Sequence, residues 1–175
     1  MFTLLFALCA IASATGPLTV KSCAANAPVK INSLSIVPDN PITVGQPLSL
    51  SFDLEVTEPI TEGKLSLKLE KEILFWITVP CKNGVGSCTY DNFCTMLNNV
   101  TSECNSAAQA LNMDLPCKCP IQPSRYTATI PIPAFQIPSS IEWAAKGNYR
   151  VHFDITDKSR KLACYDITFS LDVKK

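Results

Sequence analysis

Nine cysteines stand in this 175-residue chain, and they are the side chains best equipped for chemistry. As thiolates they attack carbonyls or bind zinc, and as oxidised pairs they cross-link the chain. Cys81, Cys88, Cys94, Cys104, Cys117 and Cys119 crowd into one segment, while Cys23 and Cys164 stand near the two ends. Cys9 lies in an uncharged apolar run, Phe2 to Ala12, that ends in Ala12-Ser13-Ala14. That is the pattern of a secretory signal peptide over residues 1–14 with a small-residue cleavage site, and the run is shorter than the roughly 20 apolar residues of a membrane span. Its removal leaves residues 15–175 and an even cysteine set in an oxidising compartment of the secretory pathway, outside the cytosol. There, disulfides are the expected fate, ahead of a catalytic thiol or a metal site, and Cys117-Lys118-Cys119 is read the same way. No metal or cofactor is expected.

Other catalytic chemistry finds no foothold. The single histidine, His152, falls on the polar phase of an alternating stretch between Val151 and Phe153, and a serine relay needs a base within reach of its nucleophile. The acids that can be placed on strands share that outward phase, which argues against a glycosidase-type carboxylate pair. Asn99-Val100-Thr101 is an N-glycosylation acceptor and marks Asn99 as a surface position, whereas Asn32, Asn40 and Asn148 do not meet the pattern. Lys plus Arg and Asp plus Glu are equal at 15 each, so no net field attracts nucleic acid. A partner has to be recognised by shape, apolar surface or local polar groups.

The elements that position these residues are strands. Leu48 to Val56 places an apolar residue at every second position, and the pattern returns in Leu65 to Glu70, Tyr149 to Ile155 and Tyr165 to Val173. One apolar and one polar face per strand is the mark of antiparallel sheets, because parallel sheets are covered on both faces. Weaker strands are predicted over Leu34 to Val37, Phe75 to Val79 and Tyr126 to Ile132, with turns at Pro38-Asp39-Asn40-Pro41, Gly45-Gln46-Pro47, Glu62-Gly63 and Lys146-Gly147-Asn148. Tyr90, Phe93, Cys94 and Leu97 recur at helical spacing and predict one short helix inside the cysteine-rich segment. The fold class is therefore all-β, antiparallel, in one domain over residues 15–175. No cysteine-tryptophan-cysteine arrangement of the immunoglobulin kind is present. Alternation alone does not say whether the apolar faces fill a core or line a cavity.

Residue strings carry a more specific signal. Ser33-Leu34-Ser35-Ile36-Val37-Pro38-Asp39, Leu69-Glu70-Lys71-Glu72 with Trp76-Ile77 and Pro80-Cys81, Gly86-Ser87-Cys88-Thr89 with Phe93-Cys94, Leu115-Pro116-Cys117-Lys118-Cys119-Pro120, Gly147-Asn148-Tyr149-Arg150 and Lys161-Leu162-Ala163-Cys164 occur in that order. From Cys23 to about Leu171 the chain resembles the ganglioside activators that serve lysosomal β-hexosaminidase A, a group within the MD-2-related lipid-recognition (ML) domains. The resemblance implies a two-sheet β-cup enclosing a lipid cavity, and the pairing Cys23 with Cys164, Cys81 with Cys88, Cys94 with Cys119 and Cys104 with Cys117. Counting alone leaves 105 connectivities open. It implies an activator and lipid-transfer protein rather than an enzyme. Its partners would be a glycolipid or phospholipid, a membrane surface touched transiently, and a β-hexosaminidase-type glycosidase. The rival readings are a lipid-sensing or carrier module acting through a receptor, and an adhesion sandwich with a filled core.

A lipid carrier asks for an apolar interior and an apolar rim. The inward phase supplies Leu50, Phe52, Leu54, Leu65, Leu67, Leu69, Tyr126, Ile130, Val151, Phe153, Ile167 and Phe169 as cavity-lining candidates. The rim candidates are Ile73, Leu74, Phe75 and Trp76, which interrupt the alternation, and Phe135, Ile137, Ile141 and Trp143 in a Pro-rich stretch. The interval from Glu72 to Trp76 is shorter and more apolar than in the mammalian activators.

Overall fold

Period-2 alternation becomes strand wherever one face can be buried, and the longest alternating runs form the centres of two sheets. A computed structural model describes residues 16–134 and 146–173. The predicted signal peptide and the rim candidates Phe135, Ile137, Ile141 and Trp143 lie outside the described residues. The larger sheet runs β1 (Thr19–Ser22), β10 (Arg160–Val173), β9 (Gly147–Asp157), β5 (Lys64–Glu72), β6 (Trp76–Thr78), with β3 (Ile42–Val44) also on β10 and β7 (Thr89–Tyr90) also on β5. The smaller sheet is β2 (Val29–Val37), β4 (Leu48–Val56), β8 (Ser124–Ile132). All pairings among these strands are antiparallel except β3 with β10, which is parallel over Leu171 to Val173.

Register decides which side chains share a face. In the larger sheet the inner rows are Leu65–Ile155–Ala163, Leu67–Phe153–Tyr165, Leu69–Val151–Ile167 and Lys71–Tyr149–Phe169. The smaller sheet opposes them with Ile31–Leu54–Tyr126, Leu34–Phe52–Ala128 and Ile36–Leu50–Ile130. Ile31 and Leu34 are of opposite parity and still share a face, because β2 shifts register between Ile31 and Ser33. A bulge of this kind absorbs one residue and restores the phase. The Ile31 amide donates to the Tyr165 hydroxyl across the gap at 2.6 Å, so the irregularity also stitches β2 to the opposite sheet.

The two sheets meet most tightly at one end. Val56, Ile60, Phe93, Cys94, Tyr126 and Leu162 form the buried core there, with Phe52, Leu54, Leu65 and Ile155 packed against it. Helix α1 (Phe93–Asn99) closes this end: Asn92 caps it by accepting from the Cys94 amide at 2.9 Å, and the Phe93 amide donates to the Gly63 carbonyl at 2.8 Å. The disulfides are Cys23–Cys164, Cys81–Cys88, Cys94–Cys119 and Cys104–Cys117. The first spans 141 residues of sequence, a loop whose closure is worth about 5 kcal/mol in loop-entropy terms.

The expectation of one helix needs correction, because a second, α2 (Thr101–Ala110), follows directly. It buries no residue, so it has no apolar stripe to read. Cys104–Cys117 and the Thr101 hydroxyl, which donates to the Cys117 carbonyl at 3.0 Å, hold it in place.

Candidate functional site

Away from the packed end many inward apolar side chains are not fully covered. Leu50, Ile130, Leu67, Leu69, Val151, Phe153, Ile167 and Phe169 are half-buried although they point inward. Apolar side chains in a filled sandwich would lie in contact with the opposite sheet and leave little surface exposed. The arrangement is a cup whose packed end is the core around Ile60 and Leu162. The remaining lining candidates sit lower: Tyr126 is buried within the core and donates its hydroxyl to the Gln122 carbonyl at 2.8 Å, and Phe52, Leu54 and Leu65 pack against that core.

The end away from that core carries exposed apolar side chains, and further ones are Val85, Met96 and Val100. The turn between β5 and β6 holds Ile73, Leu74 and Phe75, exposed to 59%, 92% and 70%, and Val37 at the end of β2 is 65% exposed. The strand ends that flank residues 135–145, at Ile132 and Gly147, reach this same end: Ile132 pairs with Leu48 and Gly147 with Leu171. Trp76 is placed differently from its neighbours. It pairs with Glu72 and so lies on the outer face, where the Arg150 guanidinium stacks 4.6 Å from its ring centroid.

Around Trp76 that outer face is polar. Arg150 donates from Nε to Glu70 Oε2 at 2.6 Å, Lys68 reaches Glu70 Oε1 at 3.0 Å, and these bonds hold the Glu70 carboxyl down at about 2. His152 Nδ1 lies 2.8 Å from Asp166 Oδ1, and Lys161 donates to Asp154 at 3.0 Å. His152 also sits beside Cys23 and Cys164, but those sulfurs are bonded to each other and a disulfide presents no thiolate to a metal. Asn99 is exposed at the junction of α1 and α2.

Two polar side chains on the inner face escaped the sequence reading. Lys71 and Tyr149 are paired neighbours, 7% and 5% exposed, and the Lys71 ammonium lies 5.7 Å from the centroid of the Tyr149 ring. Burial pushes the lysine pKa down and the tyrosine pKa up, as expected when low dielectric disfavours the charged form. Tyr149 stacks on Phe169 with centroids 5.5 Å apart, and its hydroxyl has no hydrogen-bond partner among the described residues. A buried hydroxyl left in that state costs about 1 to 3 kcal/mol. A signal was available: Lys71 continues the odd-numbered phase of Leu65, Leu67 and Leu69.

The chain is similar in sequence to known proteins. A family model described as an ML domain matches residues 17–171. A mouse (Mus musculus) protein named "Ganglioside GM2 activator" is 33% identical over 150 residues, covering 82% of this chain and 76% of its own length. The protein of that name from Macaca fascicularis is 31% identical over 153 residues, covering 82% and 77%. A Dictyostelium discoideum protein named "Putative phosphatidylglycerol/phosphatidylinositol transfer protein 2" is 28% identical over 151 residues, covering 86% and 83%. Among solved structures, a Niemann-Pick type C2 protein from Japanese carpenter ant aligns over 89% of this chain and 99% of its own, with 12% identity and a TM-score of 0.42.

Proposed function

The chain belongs to the ML-domain family, matched over residues 17–171, and from that premise we propose that it is a lipid-binding and lipid-transfer protein of the lysosome or the extracellular space. Its exposed turn touches a membrane, the acyl or ceramide tails of a lipid enter the cup, and the head group is left at the mouth. In the finer form of the proposal the lipid is a ganglioside-like glycolipid, handed to a soluble β-hexosaminidase-type glycosidase that cannot reach it in the bilayer. The protein is an activator, not a catalyst.

The observation that supports this reading is the pair of apolar inner faces left half-buried beyond the core around Ile60 and Leu162, together with the exposed Ile73, Leu74 and Phe75 at the other end of the same strands. Tails moving from bilayer to cup exchange one apolar surrounding for another, so transfer at about 0.8 kcal/mol per methylene nearly cancels. Net affinity has to come from shape and from contacts at the head group. The names of the relatives, two ganglioside activators and one phospholipid transfer protein, support a lipid ligand.

Native mass spectrometry of the purified protein tests the carrier directly: a co-purifying lipid, or transfer of labelled lipid between vesicles, is the expected result. Absence of both refutes it. Stimulation of glycolipid hydrolysis by a hexosaminidase tests the finer form, and a carrier that transfers lipid without stimulating the enzyme favours action through a receptor.

A further inference from the structure

One inner row of the larger sheet breaks the apolar rule. Ile77, Lys71, Tyr149 and Phe169 lie side by side across β6, β5, β9 and β10, next to the wholly apolar row Leu69–Val151–Ile167. A wall that served tails alone would carry apolar residues in this row as it does in the next. Here a buried ammonium and a buried hydroxyl stand together, and the hydroxyl is closed to water and lacks a partner among the described residues. The backbone makes room for the lysine stem at Gly147, where a Cβ would press on Lys71 Cε at 3.2 Å.

We propose that Lys71 and Tyr149 form a polar hold for an anionic oxygen group joined directly to acyl chains, a phosphodiester or a carboxylate. The proposal rests on the lipid-carrier reading and adds the chemical class of the head group. Depth selects the ligand. The Lys71 row lies two residues in from the exposed turn at Ile73, roughly 7 Å at about 3.3 Å per residue. An acidic sugar at the end of an oligosaccharide stays outside the mouth, whereas a group adjacent to the chains sits at this level while the chains run down past Leu69, Val151, Leu67 and Phe153. The ammonium supplies the charge and the hydroxyl donates a hydrogen bond, and such charge-assisted contacts gain strength away from water.

The test uses the full chain and three labelled lipids with the same acyl group: dioleoylphosphatidylglycerol, oleate and dioleoylglycerol, the last without an anion. Wild type is expected to transfer one of the anionic lipids between vesicles at least about tenfold faster than dioleoylglycerol, one factor of ten being a modest ion contact. The faster lipid identifies phosphodiester or carboxylate. Tyr149→Phe and Lys71→Met should each cut that preference several-fold with dioleoylglycerol transfer unchanged, and Lys71→Arg should retain it. Because Tyr149→Phe removes only an oxygen without a described partner, the lipid-free variant should melt no lower than wild type. A lower melting temperature, or a preference unchanged in both variants, overturns the hold and leaves the carrier standing. Equal transfer of all three lipids by wild type does the same, and transfer of none overturns both.

Discussion

The turn at residues 73–75 permits a quantitative prediction for membrane contact. Replacing Ile73, Leu74 and Phe75 together by serine removes three large apolar side chains that are 59%, 92% and 70% exposed and therefore support no core. Taking about 2 kcal/mol for complete burial of one such side chain and weighting by these exposures gives about 4 kcal/mol for full transfer into hydrocarbon. A turn that enters only the interfacial layer realises about half of that, near 2 kcal/mol, or roughly 30-fold in partition coefficient. Flotation with neutral vesicles measures the partition, and urea denaturation of the same protein should move by no more than about 0.5 kcal/mol, the usual range for surface changes. Triple substitution that leaves vesicle binding within about threefold of wild type refutes the assignment of this turn as a membrane contact. Loss of binding accompanied by loss of stability refutes the claim that the turn is structurally idle.

Two further outcomes follow from the framework that holds the cup. Glu70 titrates near 2 against 4.5 in the free side chain, chiefly because Arg150 and then Lys68 hydrogen-bond its carboxylate. A folded pKa below the unfolded one adds stability that is complete above about 4.5 and is lost as pH falls towards 2. Glu70→Gln should therefore cost about 1 to 2 kcal/mol at pH 6, after allowance for its half-exposed partners, and almost nothing at pH 2; equal losses at both values in urea denaturation would contradict the ion-pair account. Gly86 has φ +105°, and a Cβ there would collide with the Pro80 carbonyl oxygen, so Gly86→Ala should destabilise the Cys81–Cys88 loop by about 2 kcal/mol, measurable as faster amide exchange at Ser87, whose amide donates to the Val79 carbonyl.

Legibility in the sequence followed periodicity. β4, β5, β9 and β10 announce themselves because each packs one face inward over many residues, and that is enough for an antiparallel all-β assignment. β2 is read only from Leu34 because the irregularity between Ile31 and Ser33 breaks the alternation before it. β1 and β3 span four and three residues, too few for a period to register. α2 was invisible for a different reason: it is held by Cys104–Cys117 and buries nothing. Residue strings supplied what periodicity could not, namely the family and the cup. The polar row is hard to read because β5 ends in the charged run Glu70-Lys71-Glu72, in which Lys71 carries no apolar mark of the inward phase it occupies.

The hairpin of β5 and β6 then emerges as the element on which the proposed activities converge. Its turn presents Ile73, Leu74 and Phe75 to the outside, its inner face brings Lys71 and Ile77 into the cup, and its outer face carries Glu70 and Trp76. Trp76 lies on the face opposite the cup, stacked on Arg150, which in turn is bonded to Glu70. A short three-residue edge strand has few ladder bonds of its own, so this stack fixes β6 against β9 and with it the angle at which the turn leaves the sheet. In the proposed membrane contact the tryptophan's part would therefore be mechanical: it would hold the apolar turn from outside, while Lys71, one position along from Glu70, would face the proposed ligand from within.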